Sequence, residues 1–220
     1  MTLRTFFVLL LVCVAREGVA QGSRTPLARG VTLITNVHVI AMRDQSVAAD
    51  AAVLITDGRV SAIGAQRSLR VSSGATVVDG KGGYLIPGLA DLHTHLWADR
   101  YVPDSVARAV VGVVLANGLT AARLMIGTKA QLQLRRQIEA GSVIGPNLWT
   151  ATPQLTGRAD TNSRVVTTPE ERRAAVREEG AAGSDFIKIN NFIVPNVYEA
   201  IMDEARIAPL AGIDAGLSPF

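Results

Sequence analysis

Two of the chain's three histidines, His93 and His95, sit two residues apart in the run Pro87-Gly88-Leu89-Ala90-Asp91-Leu92-His93-Thr94-His95-Leu96. Apolar residues on both sides of a Pro-Gly break predict a turn feeding a short buried strand, and strand side chains alternate faces with a period of two. His93 and His95 therefore point the same way. Two imidazoles about 6 to 7 Å apart along one strand face can share a divalent cation, for which imidazole nitrogen is a good ligand. The competing reading is a pair of ordinary histidines near a strand end. It is the weaker one, because a polar pair on an otherwise apolar strand is costly unless something satisfies it.

A second candidate is Lys188, in Phe186-Ile187-Lys188-Ile189, one of three lysines in a chain that otherwise uses arginine. An ammonium among large apolar residues on a buried strand is expensive, and burial favours the neutral amine. The alternative is a strand-end lysine that reaches out to water along its own stem. A third candidate is Asp214, in Pro209-Leu210-Ala211-Gly212-Ile213-Asp214-Ala215-Gly216.

These residues carry a family resemblance. Pro87-Gly88-Leu89-Ala90-Asp91-Leu92-His93-Thr94-His95 resembles the signature of the metal-dependent amidohydrolase superfamily, and the likeness runs from about Val31 to the C-terminus, nearest to the branch of imidazolonepropionase-like enzymes and Xaa-Pro-type dipeptidases. The resemblance implies that His93 and His95 end the first strand of a (β/α)8 barrel as metal ligands. It also implies a carboxylated Lys188 bridging two metals, and Asp214 as a further metal contact and the general acid/base that carries a proton to the leaving amine. The expected cofactor is zinc, one or two ions. The expected reaction is hydrolysis of a carbon–nitrogen bond in a cyclic amide or a dipeptide-like substrate. The histidines that the family carries on its fifth and sixth strands have no counterpart here, and 209–216 resembles its eighth strand, with Ile213 where the family has threonine. The rival reading makes 206–220 an unrelated tail and the whole a truncated or internally deleted remnant, catalytically incompetent, that binds metal or a partner.

Around these residues the periodicity predicts an α/β fold: a partial (β/α)8 TIM-type barrel over 87–220, preceded by an incomplete β-sandwich module over 31–86. The module's strands are expected at 31–34, 37–42, 52–56, 59–63 and 75–79. Asp57-Gly58 marks a hairpin, and Gly80-Lys81-Gly82-Gly83 a turn. His38 falls within this module and receives no functional role. In the barrel portion, helices are expected behind Pro103, over 129–140 and 195–206, and after the capping sequence Thr168-Pro169-Glu170-Glu171, whose charges read as a solvated face. Strands are expected at 120–125, 147–152 and 184–190, with a polar loop at 157–167. Strands alternating with helices argue for a parallel sheet. Trp97 and Trp149 read as packing residues.

Composition sets the remaining bounds. The chain has 220 residues, 48% hydrophobic, whereas a complete (β/α)8 barrel takes about 250. Its net charge of +3 and pI of about 9.4 come from scattered arginines without basic runs, which speaks for no nucleic-acid partner. Arg4, the apolar residues 6–15 and the ending Gly18-Val19-Ala20 read as a signal peptide over 1–20, followed by a leader over 21–30. That core falls short of the roughly 20 residues that span a bilayer, so the expectation is a secreted or periplasmic protein with no permanent membrane anchor. Its sole cysteine, Cys13, would leave with the peptide, and Val12 before it is too large for a lipoprotein signal. Unpaired edges of an open barrel predict homo-oligomers.

Overall fold

The computed structural model describes residues 30–71, 73–96, 102–158, 163–190, 192–207 and 210, together with the backbone of 213–215. The signal peptide, Trp97 and nearly all of the leader lie outside these residues. Four strands form the first sheet: β1 (Val31–Val39), β2 (Ala48–Thr56), β3 (Arg59–Ala65) and β4 (Thr76–Leu85), in the order β3-β2-β1-β4. The β2-β3 hairpin turns where expected, with Asp57 at φ 48° and Gly58 at φ 74°, both in the left-handed region that a tight hairpin needs. Val37, Val39, Ala51 and Val53 form this sheet's buried cluster.

Two expectations for this sheet require correction. Residues 31–39 are one strand rather than two, because Asn36 adopts φ 53° and absorbs an irregularity without ending the pairing. The Gly80 to Gly83 stretch is no turn between elements but a bulge inside β4, with Lys81 and Gly82 at positive φ. Asp79 holds the bulge: its Oδ1 accepts the Lys81 N–H at 2.9 Å and the Asn36 side-chain amide at 3.1 Å. A bulge adds residues to one strand while leaving the ladder on either side intact.

From Leu89 strands alternate with helices: β5 (Leu89–Thr94), α1 (Asp104–Ala116), β6 (Leu119–Leu124), α2 (Lys129–Glu139), β7 (Asn147–Thr150), β8 (Gln154–Thr156), β9 (Ser163–Val165), α3 (Pro169–Ala182), β10 (Ile187–Ile189), α4 (Pro195–Ile207) and β11 (Ile213–Ala215). The helix boundaries follow local chemistry. Gly118 at φ 87° follows α1, Thr168 and Glu171 make a capping box with Pro169 at the start of α3, and Gly183 at φ 100° closes α3. The strands are parallel, in the orders β5-β6-β7 and β11-β10-β8-β9. An Ala151–Phe186 bridge and the hydrogen bonds Asp185 N–H to Thr150 O (2.8 Å) and Thr152 N–H to Phe186 O (2.9 Å) join the two sets. The backbone order is thus β5, β6, the 147–156 segment, β10, β11. No helix among the described residues is long and apolar enough to cross a membrane.

Three expectations change here too. The 157–167 stretch is not all loop, since β9 pairs with β8. The charged residues of α3 do not all face water: Arg172 is 1% exposed and donates through Nε to the Val166 carbonyl at 3.0 Å. β5 is not buried, with Leu89 at 49% and Leu92 at 61% exposure. Among the described residues only β6 pairs with β5, so its other edge and part of its surface meet solvent.

Candidate metal centre

His93 is the fifth residue of β5, and His95 follows the strand's last residue. Two local ties shape this end of the strand. The Asp91 carboxylate accepts the His93 N–H at 3.0 Å, and the Thr94 carbonyl accepts the Met125 N–H at 3.0 Å across from β6. The β5-β6 register shifts between Asp91 and Thr94, so the strand is irregular where it presents its imidazoles. The two rings nevertheless lie edge to face, with centroids 5.4 Å apart and planes at 65°. An imidazole bound at about 2.0 to 2.1 Å puts its centroid about 3.2 Å from the ion, so two rings at a tetrahedral angle have centroids about 5.2 Å apart. The observed separation of 5.4 Å is close to that value.

Lys188 occupies the middle of β10 and is 8% exposed. Its backbone N–H donates at 3.0 Å to Oγ1 of the fully buried Thr152, which in turn donates to the Pro153 carbonyl at 2.8 Å. Lys188 is near enough to His95 to act on it electrostatically. Partial desolvation, then the positive charges of His93 and Lys188, lower the pKa of His95 below the ordinary imidazole value. His95 remains exposed as a residue, so solvent screens much of this effect. The direction favours the neutral imidazole, the form that binds metal.

Asp214 lies in β11, paired in parallel with β10 so that it stands opposite Lys188. Its side chain is outside the described residues. His38 is elsewhere: its Nδ1 accepts the Asp50 N–H at 3.3 Å and its ring packs on Tyr84, a structural role. Trp149 packs against Met125, Ala151 and Phe186, as a packing residue should. Among the described residues, no group of three or more His, Cys, Asp or Glu side chains is placed to hold a metal. The two imidazoles lie ring to ring, and Lys188 acts electrostatically on one of them, His95.

Sequence reasoning missed the residues that hold these donors in place. Gly127 lets the segment after β6 approach the 151–152 backbone: its N–H donates to the Thr152 carbonyl at 3.0 Å, and a Cβ there would lie 1.7 Å from the Ala151 oxygen. Gln131, 4% exposed, donates to the Leu96 carbonyl at 2.5 Å. The Thr128-x-x-Gln131 spacing does announce a capping box, but nothing in it points to Leu96.

No family model matches the chain. An adenine deaminase of Shouchella clausii is 38% identical over 90 residues, 40% of this chain and 15% of that protein. The imidazolonepropionase of Idiomarina loihiensis is 41% identical over 69 residues, 30% of this chain and 17% of that protein. The matched stretches thus span under a fifth of these relatives. In fold, an amidohydrolase crystal structure superposes with a TM-score of 0.70 at 24% identity, over 82% of this chain and 55% of that one. A Bifidobacterium longum protein described as a prolidase superposes with a TM-score of 0.72 at 23% identity, over 86% and 50%. Stretches of the chain are thus similar in sequence to an adenine deaminase and an imidazolonepropionase, and its fold is similar to that of solved amidohydrolase and prolidase structures.

Proposed function

We propose that the chain carries the metal-binding part of a hydrolase that cleaves a carbon–nitrogen bond in a cyclic amide or dipeptide-like substrate. In this reading the parallel strands β5, β6, β7, β10 and β11 are an arc of a (β/α)8 barrel, and the sheet β1 to β4 is one part of a flanking β-sandwich. The observation that carries it is the His93–His95 pair, with rings 5.4 Å apart at the C-terminal end of a parallel strand, where barrel enzymes keep their sites.

A divalent ion, zinc by the chemistry of imidazole donors, lowers the pKa of a water to about 7 and polarises a carbonyl. The chain's own residues do the rest. His93 and His95 supply nitrogen lone pairs, and the lowered pKa of His95 keeps its lone pair free of a proton near neutrality. Lys188, whose backbone N–H is held by Thr152, would add through its side-chain nitrogen to carbon dioxide with release of one proton, and the carbamate oxygens would then serve as ligands. Asp214 accepts the proton of the attacking water and passes it to the leaving amine nitrogen.

One observation favours a second reading, in which the chain holds metal or a partner without turnover. Among the described residues no three His, Cys, Asp or Glu side chains are placed together, whereas a catalytic zinc takes three protein ligands. One experiment tests the shared premise. The His93→Ala/His95→Ala variant, dialysed against zinc and then buffer, should retain no metal by elemental analysis, while the unaltered protein retains it. Equal retention would make the pair structural.

A further inference from the structure

We infer that Gln131 is a positioning residue for the His93–His95 pair, coupling the start of α2 to the backbone that leaves the site. Three of its polar groups have separate tasks. The backbone N–H donates to Thr128 Oγ1 at 3.2 Å and the side-chain Oε1 accepts the Thr128 N–H at 3.1 Å, which together cap α2. Nε2 is left over, and it donates to the carbonyl of Leu96 at 2.5 Å, 35 residues away in sequence. Leu96 directly follows His95, and its side chain is anchored in the core with Val111, Leu124 and Leu134.

His95 lies beyond the last paired residue of β5, so the β5-β6 ladder does not fix its backbone. On one side of it, the Thr94 carbonyl is held by Met125. On the other, the Leu96 carbonyl is held by Gln131. A two-imidazole site needs ring positions fixed to a fraction of an ångström; partners bonded directly to ligating side chains alter metal affinity about 10- to 100-fold, and Gln131 acts one step further out, through the backbone. A cap alone would be served by glutamic acid as well as by glutamine. Only an amide can accept from Thr128 and donate to Leu96 together.

The inference rests on the metal reading above, and the experiment separates the two. Gln131→Glu keeps the cap and sets a carboxylate against the Leu96 carbonyl, Gln131→Met removes both side-chain bonds, and Thr128→Ala removes the Oγ1 half of the cap alone. Cobalt(II) affinity, the cobalt absorption spectrum, melting temperature and the His93 and His95 ring resonances of the metal-free protein are measured for each. Gln131→Glu and Gln131→Met are expected to weaken cobalt binding at least tenfold, change its spectrum, and shift and broaden both ring resonances. Thr128→Ala is expected to lower the melting temperature with affinity and ring resonances unchanged. Wild-type affinity and ring resonances in Gln131→Glu, or losses in all three variants that simply follow melting temperature, overturn the inference. If His93→Ala/His95→Ala still binds cobalt, the metal reading falls and the metal-free ring resonances alone decide the role of Gln131.

Discussion

Arg135, on α2, and Asp185, just before β10, meet at 2.7 Å with both side chains buried, one tenth exposed or less. The same Asp185 oxygen accepts the Thr150 N–H at 2.7 Å, and Arg135 also donates to the Gly183 carbonyl at 2.8 Å. One ion pair thus ties α2, β7 and the entry to β10 together, and β10 carries Lys188. Removing Asp185 leaves the buried Arg135 with the Gly183 carbonyl and a longer, 3.5 Å ion pair to Glu139, and breaking a buried pair in this way costs about 3 to 5 kcal/mol. Asp185→Ala should lower unfolding free energy by that amount in urea titration. The pair is not worth that much in itself, so Arg135→Met/Asp185→Leu should recover a large part of the loss.

The lowered pKa of His95 has a consequence for stability. The unfolded chain binds a proton at the ordinary value of about 6.5, and the folded chain binds it only at lower pH, so between the two values the unfolded state holds more protons. The metal-free protein should therefore lose stability as pH falls from about 6.5 through the folded value, and be insensitive to this group above 6.5. The loss is modest because solvent reaches the ring. Chemical denaturation between pH 5 and 8 should show this slope in the parent protein and a flatter profile in His95→Gln.

The parts of the fold that depend on neighbours in sequence were legible, and those that depend on partners far away were not. Asp57-Gly58 needs two left-handed residues wherever the hairpin packs, and Thr168-Pro169-Glu170-Glu171 caps a helix with its own side chains. Period-two alternation put His93 and His95 on one side, as their ring separation shows. Burial of β5 was misjudged because it depends on what lies beyond its free edge, which apolar content does not reveal. Arg172 was read as solvated because its partner is a carbonyl, that of Val166, and carbonyls are invisible in a pattern of side chains. The Gln131–Leu96 bond was hidden for the same reason.

We propose that the chain is exported, on the basis of its first 20 residues, with Arg4 ahead of an apolar run and Gly18-Val19-Ala20 at its end. Expressed with this leader in a bacterium, the protein should be recovered outside the cytoplasm with an intact mass that begins at Gln21. A product that retains Met1, or that stays in the cytoplasm, would refute the proposal.

Lys188 and Asp214 stand opposite each other on adjacent parallel strands, and this register leads to the last prediction. Directly paired positions of a parallel sheet share a face. A second negative charge at that register would oppose a carbamate at Lys188 unless a divalent cation offset it. Carboxylation of Lys188 should therefore depend on metal. Protein incubated with ¹³C-bicarbonate should show a carbamate carbon resonance with zinc present and little or none after chelation, and Lys188→Ala should abolish it. Asp214→Asn removes the opposing charge, so its carbamate should persist to lower zinc concentration or survive chelation in part. Its hydrolysis of dipeptides, if the parent has any, should fall about 100-fold or more, the scale of a lost general acid/base. A metal-independent carbamate signal in the parent, or one identical in Asp214→Asn at every zinc concentration, would show that the two residues do not share a site.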